Sequence, residues 1–156
     1  MKLDKKLLAK CIAVPLLAGS IAGIMTMGGM RAFGELNQPP LSPPAWLFPV
    51  VWTILYILMG VASYLICVSG EDGKKISEAL IYYEAQLLVN FLWPTFFFNY
   101  QWYLFSFFWL LFLWILVFIT RKQFQKLSKA AGYLLVPYLL WLTFAAYLNI
   151  GVWWLN

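Results

Sequence analysis

Five apolar runs, at about residues 7–30, 49–68, 78–98, 103–120 and 130–154, take up most of the 156-residue chain. Each is close to the roughly 20 residues an α-helix needs to cross a bilayer. Inside hydrocarbon a lone segment must satisfy its own backbone hydrogen bonds, so the local structure compatible with such runs is helix. Charged residues make up 11% of the chain, against about 25% in soluble domains, and the connections are too short for a separate soluble domain. The sequence predicts an all-α integral membrane protein, a five-transmembrane-helix bundle forming one domain over residues 1–156. The first run follows Lys2, Lys5, Lys6 and Lys10. Its length and the lack of a small-residue cleavage pattern after it favour a retained helix over a signal peptide.

The connections carry turn chemistry. Residues 69–75 contain Gly70-Glu71-Asp72-Gly73, and Ser77 before Glu78 is a candidate N-cap for the third span. The link at 99–102 is very short, which makes spans three and four antiparallel neighbours. The one long loop, at about 31–45, holds Pro39, Pro40, Pro43 and Pro44. Prolines fix φ and resist continuing a helix, so this loop suits a stiff lid.

Lys2, Lys5, Lys6, Lys10, Lys74, Lys75, Arg121, Lys122, Lys126 and Lys129 fall on one side of this layout, and Arg31 stands alone on the other. The positive-inside rule then predicts a cytoplasmic N-terminus, with the proline-rich loop and the C-terminus outside a bacterial cell membrane. The net charge of +5 reads as topology and attraction to anionic lipid, with no nucleic-acid partner.

The chain has no histidine and two cysteines, Cys11 and Cys67. Zinc, copper and non-haem iron sites lean on His and Cys, and hydrolytic triads need a His base, so no metal site is expected. Both lie in apolar surroundings, so they are expected on lipid-facing or packed helix surface, and a disulfide between them is disfavoured.

Polar groups in hydrocarbon are costly and turn toward partners or cavities. Gln86 and Asn90 are four residues apart and share a helix face, which continues through Trp93 and Phe97. The second span offers Trp52, Tyr56 and Ser63 at similar spacing, and the fifth offers Tyr138, Trp141, Ala145 and Asn149. Interhelical packing explains such stripes, and so does a ligand cavity with aromatic walls and a few placed polar groups. Glu84 lies off the amide stripe, toward the end of the span that carries Lys74 and Lys75, and makes a poor proton relay by itself. Pro94 and Pro137 interrupt their helices. Trp102, Tyr103, Trp153 and Trp154 fall at span ends, where interfacial aromatics collect.

Three blocks of the sequence resemble the TspO/MBR family, the tryptophan-rich sensory proteins related to the mitochondrial translocator protein, or peripheral benzodiazepine receptor. They are Leu36-Asn37 with Pro39 and the run Pro43 to Thr53, followed by Leu55-Tyr56 and Met59-Gly60; Gln86-Leu87, Asn90, Leu92-Trp93 and Phe97-Phe98; and Leu135 to Leu139 with Trp141, Thr143, Ala145 and Leu148-Asn149. The resemblance implies a dimeric five-helix bundle. Under its first loop lies a pocket for porphyrins and for isoquinoline or benzodiazepine-type drugs. By motif it implies ligand contacts at Phe48, Trp52, Tyr56, Asn90, Trp141 and Ala145, to which the stripes add Gln86, Trp93, Phe97 and Tyr138. Phe33, Pro43, Pro44 and Trp46 are the lid candidates.

The resemblance also implies, for some bacterial members, light-dependent breakdown of protoporphyrin, with Trp52 and Trp141 at the matching catalytic positions. Two departures stand out. The loop reads Gln38-Pro39-Pro40-Leu41-Ser42-Pro43-Pro44 where the family usually has a tryptophan, and Ala32-Phe33 replaces an aromatic pair. The family's sterol motif is incomplete because nothing basic follows Tyr147, although Lys129, Tyr133 and Leu134 form a reversed version.

The leading expectation is therefore a receptor or sensor that needs no cofactor and binds porphyrin as ligand, with porphyrin degradation and small-molecule transport as alternatives. With no imidazole ligand available, a metal-free porphyrin or weakly held haem is favoured.

Overall fold

Asp4 starts the first helix, because its carboxylate accepts the Leu7 N–H at 3.0 Å and so satisfies one of the free donors of the first turn. From there the computed structural model, which describes residues 2–156, contains helices and no strand among the described residues. In chain order they are α1 (Lys5–Met25), α2 (Met27–Phe33), α3 (Leu47–Cys67), α4 (Gly73–Pro94), a π-helical turn (Thr95–Asn99), α5 (Tyr103–Leu127), α6 (Lys129–Leu134) and α7 (Val136–Leu155).

Several boundaries differ from the apolar runs, each for a local reason. The first run breaks at Thr26, whose buried hydroxyl donates to the Ala22 carbonyl at 2.8 Å, and the chain restarts as the short α2. Ser77 does not cap the third run: α4 begins five residues earlier behind Asp72, and Ser77 lies inside it. Pro94 lacks an N–H to give back to its own helix, and the next turn widens to a π-helix. The fourth run stops at 120 in hydropathy, but Arg121, Lys122, Gln123 and Lys126 are good helix formers and carry α5 to Leu127. The fifth run divides at Leu135, just before Pro137, and Ser128 caps α6 by accepting the Ala131 N–H.

Four segments are long and apolar enough to span a membrane: Lys5–Met25, Leu47–Cys67, Tyr103–Leu127 and Lys129–Leu155. The 22-residue α4 is more polar, because Lys74, Lys75, Glu78, Glu84, Gln86 and Asn90 all lie on it.

Side-chain contacts fix the helix directions. Asp4 N–H bonds the Tyr64 hydroxyl while Gly19 faces the Tyr56 ring, so α1 and α3 are antiparallel. The Tyr83–Phe124 and Phe96–Trp109 ring pairs make α4 and α5 antiparallel, as expected for so short a link. Trp52 meets Tyr138 and Phe48 meets Trp141, which sets α3 against α7, and Asn149 reaches the Tyr103 carbonyl to set α7 against α5. With α6 packed on α3 just ahead of α7, and α1 packed on α4, the helices close into a ring in the order α1, α3, α6 with α7, α5, α4.

The same directions bring the start of α1, the end of α3, the start of α4 and the α5–α6 junction to one end of the ring. All ten of the lysines and arginines other than Arg31 are therefore at that end. At the other end, residues 34–46 fold over α7. Pro39 packs on Gly151, the Tyr147 hydroxyl donates to the Pro40 carbonyl at 2.6 Å, and Asn37 and Asn156 exchange two hydrogen bonds.

Candidate functional site

Where α3, α4 and α7 face one another, the neutral polar groups of the bundle form a connected chain. The Tyr56 hydroxyl donates to Asn90 Oδ1 at 3.0 Å, Asn90 Nδ2 donates to the Tyr138 hydroxyl, and that hydroxyl donates to Gln86 Oε1 at 2.9 Å. Gln86 Nε2 closes the chain on the Met59 sulfur at 4.0 Å. Gln86, Asn90, Tyr138 and Met59 are all buried. The spacing explains the meeting: Gln86 and Asn90 are one turn apart on α4, and Tyr138, just inside the proline-started α7, is long enough to reach both.

Aromatic rings wall this chain. Trp52 stacks on Tyr56 with centroids 5.6 Å apart and meets Tyr138 edge-on at 6.2 Å. Phe48 meets Trp141 edge-on at 5.9 Å. The Trp141 indole N–H is buried and has no hydrogen-bond partner among the described residues. The side chains that meet here are uncharged, so the chamber offers π faces, amide donors and acceptors, and hydroxyls. Its centre is filled by the Tyr138 side chain itself. On the outer side, Val51, Ile54 and Leu55 of α3 and Pro137, Leu140 and Trp141 of α7 line an open apolar groove of about 390 Å³.

The structure thus brings Trp52, Tyr56, Gln86, Asn90 and Tyr138 into one cluster, with Phe48 and Trp141 beside it. Ala145 is half-buried one turn beyond Trp141 on α7. Trp93 and Phe97 belong to a second cluster nearer the lid, stacked at 4.9 Å, with the Trp93 indole donating to Asn149 Oδ1 at 3.2 Å. Phe33 joins that cluster at 5.5 Å from both Phe97 and Phe98. Pro43 is half-buried, while Pro44 and Trp46 are exposed. Glu84 is exposed on α4, away from the amides.

Sequence reasoning missed the contact of Met59 with Gln86, since methionine has no polar signature, and the anchoring of the lid on α7 through Pro39 and Tyr147. A proline and a tyrosine over a hundred residues apart carry no shared periodicity. It also missed the Trp109 indole donating to the Val89 carbonyl at 2.8 Å, a bond to backbone that leaves no sequence trace.

A ring of helices with four bilayer-length members and an aromatic, amide-bearing centre defines a multi-pass α-helical membrane protein. The family model described as the TspO/MBR family matches residues 11–155, and the chain belongs to that family. It is 37% identical to the tryptophan-rich protein TspO of Chlorobaculum tepidum over 150 residues, covering 96% of this chain and 95% of the relative. It is 34% identical to protein CrtK of Rhodobacter capsulatus, covering 89% and 86%. Its identity to the translocator protein of Ovis aries is 37%, covering 80% and 75%.

Proposed function

We propose that the protein is a membrane receptor or sensor that binds a flat, porphyrin-like ligand between α3, α4 and α7, under the 34–46 lid. The observation that carries this reading is the Tyr56–Asn90–Tyr138–Gln86 chain walled by Trp52 and Trp141. Neutral amides and hydroxyls inside an aromatic wall are the composition of a small-molecule site. Membership of a family that includes a "tryptophan-rich sensory protein" and "translocator proteins" supports it.

In this reading α4 also crosses the membrane, which brings the spans to five, with its polar face turned inward and its charged start at the membrane surface, and the basic end of the ring is cytoplasmic. The protein acts as a homodimer. Binding requires Tyr138 to give way, which frees Asn90 and Gln86 to turn to the ligand's polar atoms. Trp52 and Trp141 stack on its faces.

Titration of protoporphyrin IX into purified protein, read by tryptophan quenching, tests the proposal. Each aromatic pair is worth about 0.5–1.5 kcal/mol. Trp52→Leu with Trp141→Leu, which removes both rings, is therefore expected to weaken binding by about 5- to 150-fold, and unchanged affinity would argue against this chamber. The Trp52–Tyr56 stack also favours a second reading, light-driven porphyrin breakdown, since it joins two oxidisable rings. Illumination should then bleach the Soret band to a defined product; bleaching no faster than with free tryptophan would rule that reading out.

A further inference from the structure

The ring of helices is not equally tight all round. α1 and α3 touch through Gly60, where a Cβ would fall 2.5 Å from Ile12 Cα. α4 and α5 are tied by the Trp109 indole donating to the Val89 carbonyl. α5 and α7 are tied by Asn149 donating to the Tyr103 carbonyl and by the Trp114 indole donating to the Thr143 hydroxyl. α1 lies close along α4. The seam between α3 and α7 has no such ties. Their backbones scarcely approach one another, and among the described residues no hydrogen bond joins them. The gap is bridged by the ring pairs Trp52–Tyr138 and Phe48–Trp141. α6 closes the seam at the basic end only, where it packs on α3.

The outer side of this seam is the apolar groove of about 390 Å³. Its wall is one residue thick: on α3, Val51 and Leu55 of the groove adjoin Trp52 and Tyr56 of the chamber, and on α7 Trp141 belongs to both. The Trp141 ring is half-buried, and its N–H is buried without an acceptor, so no hydrogen bond opposes its rotation. The lid end has no comparable opening. Residues 34–46 are pinned to α7 by Pro39 on Gly151, by Tyr147 donating to the Pro40 carbonyl and by the two Asn37–Asn156 bonds. Toward the lid from Asn90, the stacked Trp93 and Phe97 with Phe33 pack the interior.

We propose that the ligand enters and leaves the chamber sideways from the bilayer, through the α3–α7 seam, with Trp141 as the gate. This inference rests on the chamber and on the spanning arrangement given above. In that arrangement the groove faces acyl chains, and its lining carries no charge. A water-borne ion would have to shed its hydration to pass it, whereas a flat apolar molecule dissolved in the hydrocarbon would not. Val51 lies one turn from Leu47 at the lid-side start of α3, so a porphyrin ring can pass while its propionate edge stays near the headgroups. As Trp141 turns aside, its N–H is freed to donate to an acceptor of the incoming ring.

Stopped-flow tryptophan quenching by protoporphyrin IX, with the full-length protein in lipid nanodiscs, tests the route. Ile54 and Leu140 line the groove and are 53% and 67% exposed, so Ile54→Phe with Leu140→Phe fills it without disturbing the core. Association and dissociation should both slow by about tenfold, within the range that variants of one binding surface span, with Kd little changed. Ile54→Ala with Leu140→Ala, which widens the groove, should speed both. Trp141→Ala should bind faster although more weakly, and slower association in that variant would remove the gate. For the lid, Asn37→Cys with Asn156→Cys, in a chain carrying Cys11→Ser and Cys67→Ser, is linked by a short bismaleimide. Its rates should equal those of the unlinked chain. Parental rates in the filled variant, or a lid link that slows binding as much as the filled groove does, would overturn the route and leave the chamber standing. A parent whose tryptophans are not quenched would refute the chamber and the route with it.

Discussion

An Asn90→Ala variant is expected to unfold at a temperature lower by about 5–15 °C in detergent. Asn90 is the link through which the hydroxyls of Tyr56 and Tyr138 are joined, so the substitution removes two hydrogen bonds and leaves hydroxyls short of partners in a buried site. Hydrogen bonds between membrane helices are worth about 0.6 kcal/mol on average and up to about 1.7, and each orphaned buried group adds about 1–3. Together these give a loss of about 2–4 kcal/mol, and for a chain of this size each kcal/mol moves the melting point by about 2–4 °C. A melting point for Asn90→Ala within a degree of the parent would mean that the polar chain contributes little to holding α3, α4 and α7 together.

The second large effect is at Gly60. A Cβ there would stand 2.5 Å from Ile12 Cα and 2.8 Å from the Cys11 carbonyl oxygen. Both are backbone atoms, so no side-chain rotation relieves the clash and α1 must move away from α3. Overpacking of this kind costs about 1–3 kcal/mol, and Gly60→Val, with a branched side chain, should lie at or above the top of that range. Gly23 on the same α1 provides the contrast, because nothing lies within 4 Å of a Cβ built there. Gly23→Ala is expected to gain up to about 1 kcal/mol through helix propensity alone. Thermal unfolding of the two variants side by side separates the close helix contact from the intrinsic weakness of glycine in a helix.

The bilayer is the reason so much of this fold is legible in the sequence. Length and apolarity locate α1, α3, α5 and α7 because hydrocarbon permits few alternatives, and the four-residue spacing of Gln86 and Asn90 puts both amides on the face that α4 does bury. Charge distribution likewise anticipates the basic end of the ring.

What the sequence does not carry is registry between distant helices. Nothing along the chain says that one tyrosine, Tyr138, bonds both amides, that Trp93 pairs with Asn149 in a separate cluster, or that Pro39 rests on Gly151. Helix ends were legible only where the stop is chemical. Pro94 and Pro137 act where expected, whereas α5 runs past its apolar run because arginine, lysine and glutamine extend a helix as readily as leucine does. Ser77 looked like a cap by residue type, but α4 had already started at Gly73.

The chamber is the central claim, and a residue-resolved photo-oxidation footprint tests it most directly. Protoporphyrin IX bound to the purified protein is illuminated briefly, and oxidised tryptophans and tyrosines are located by mass spectrometry. Short-lived oxidants act close to where the pigment sits, so Trp52, Tyr56 and Trp141 should be modified first, ahead of the exposed Trp102 and Trp154 at the lid end of the ring. Modification of Trp102 and Trp154 ahead of the chamber residues, with Trp52 and Trp141 intact, would place the ligand on the outside of the bundle and contradict the account.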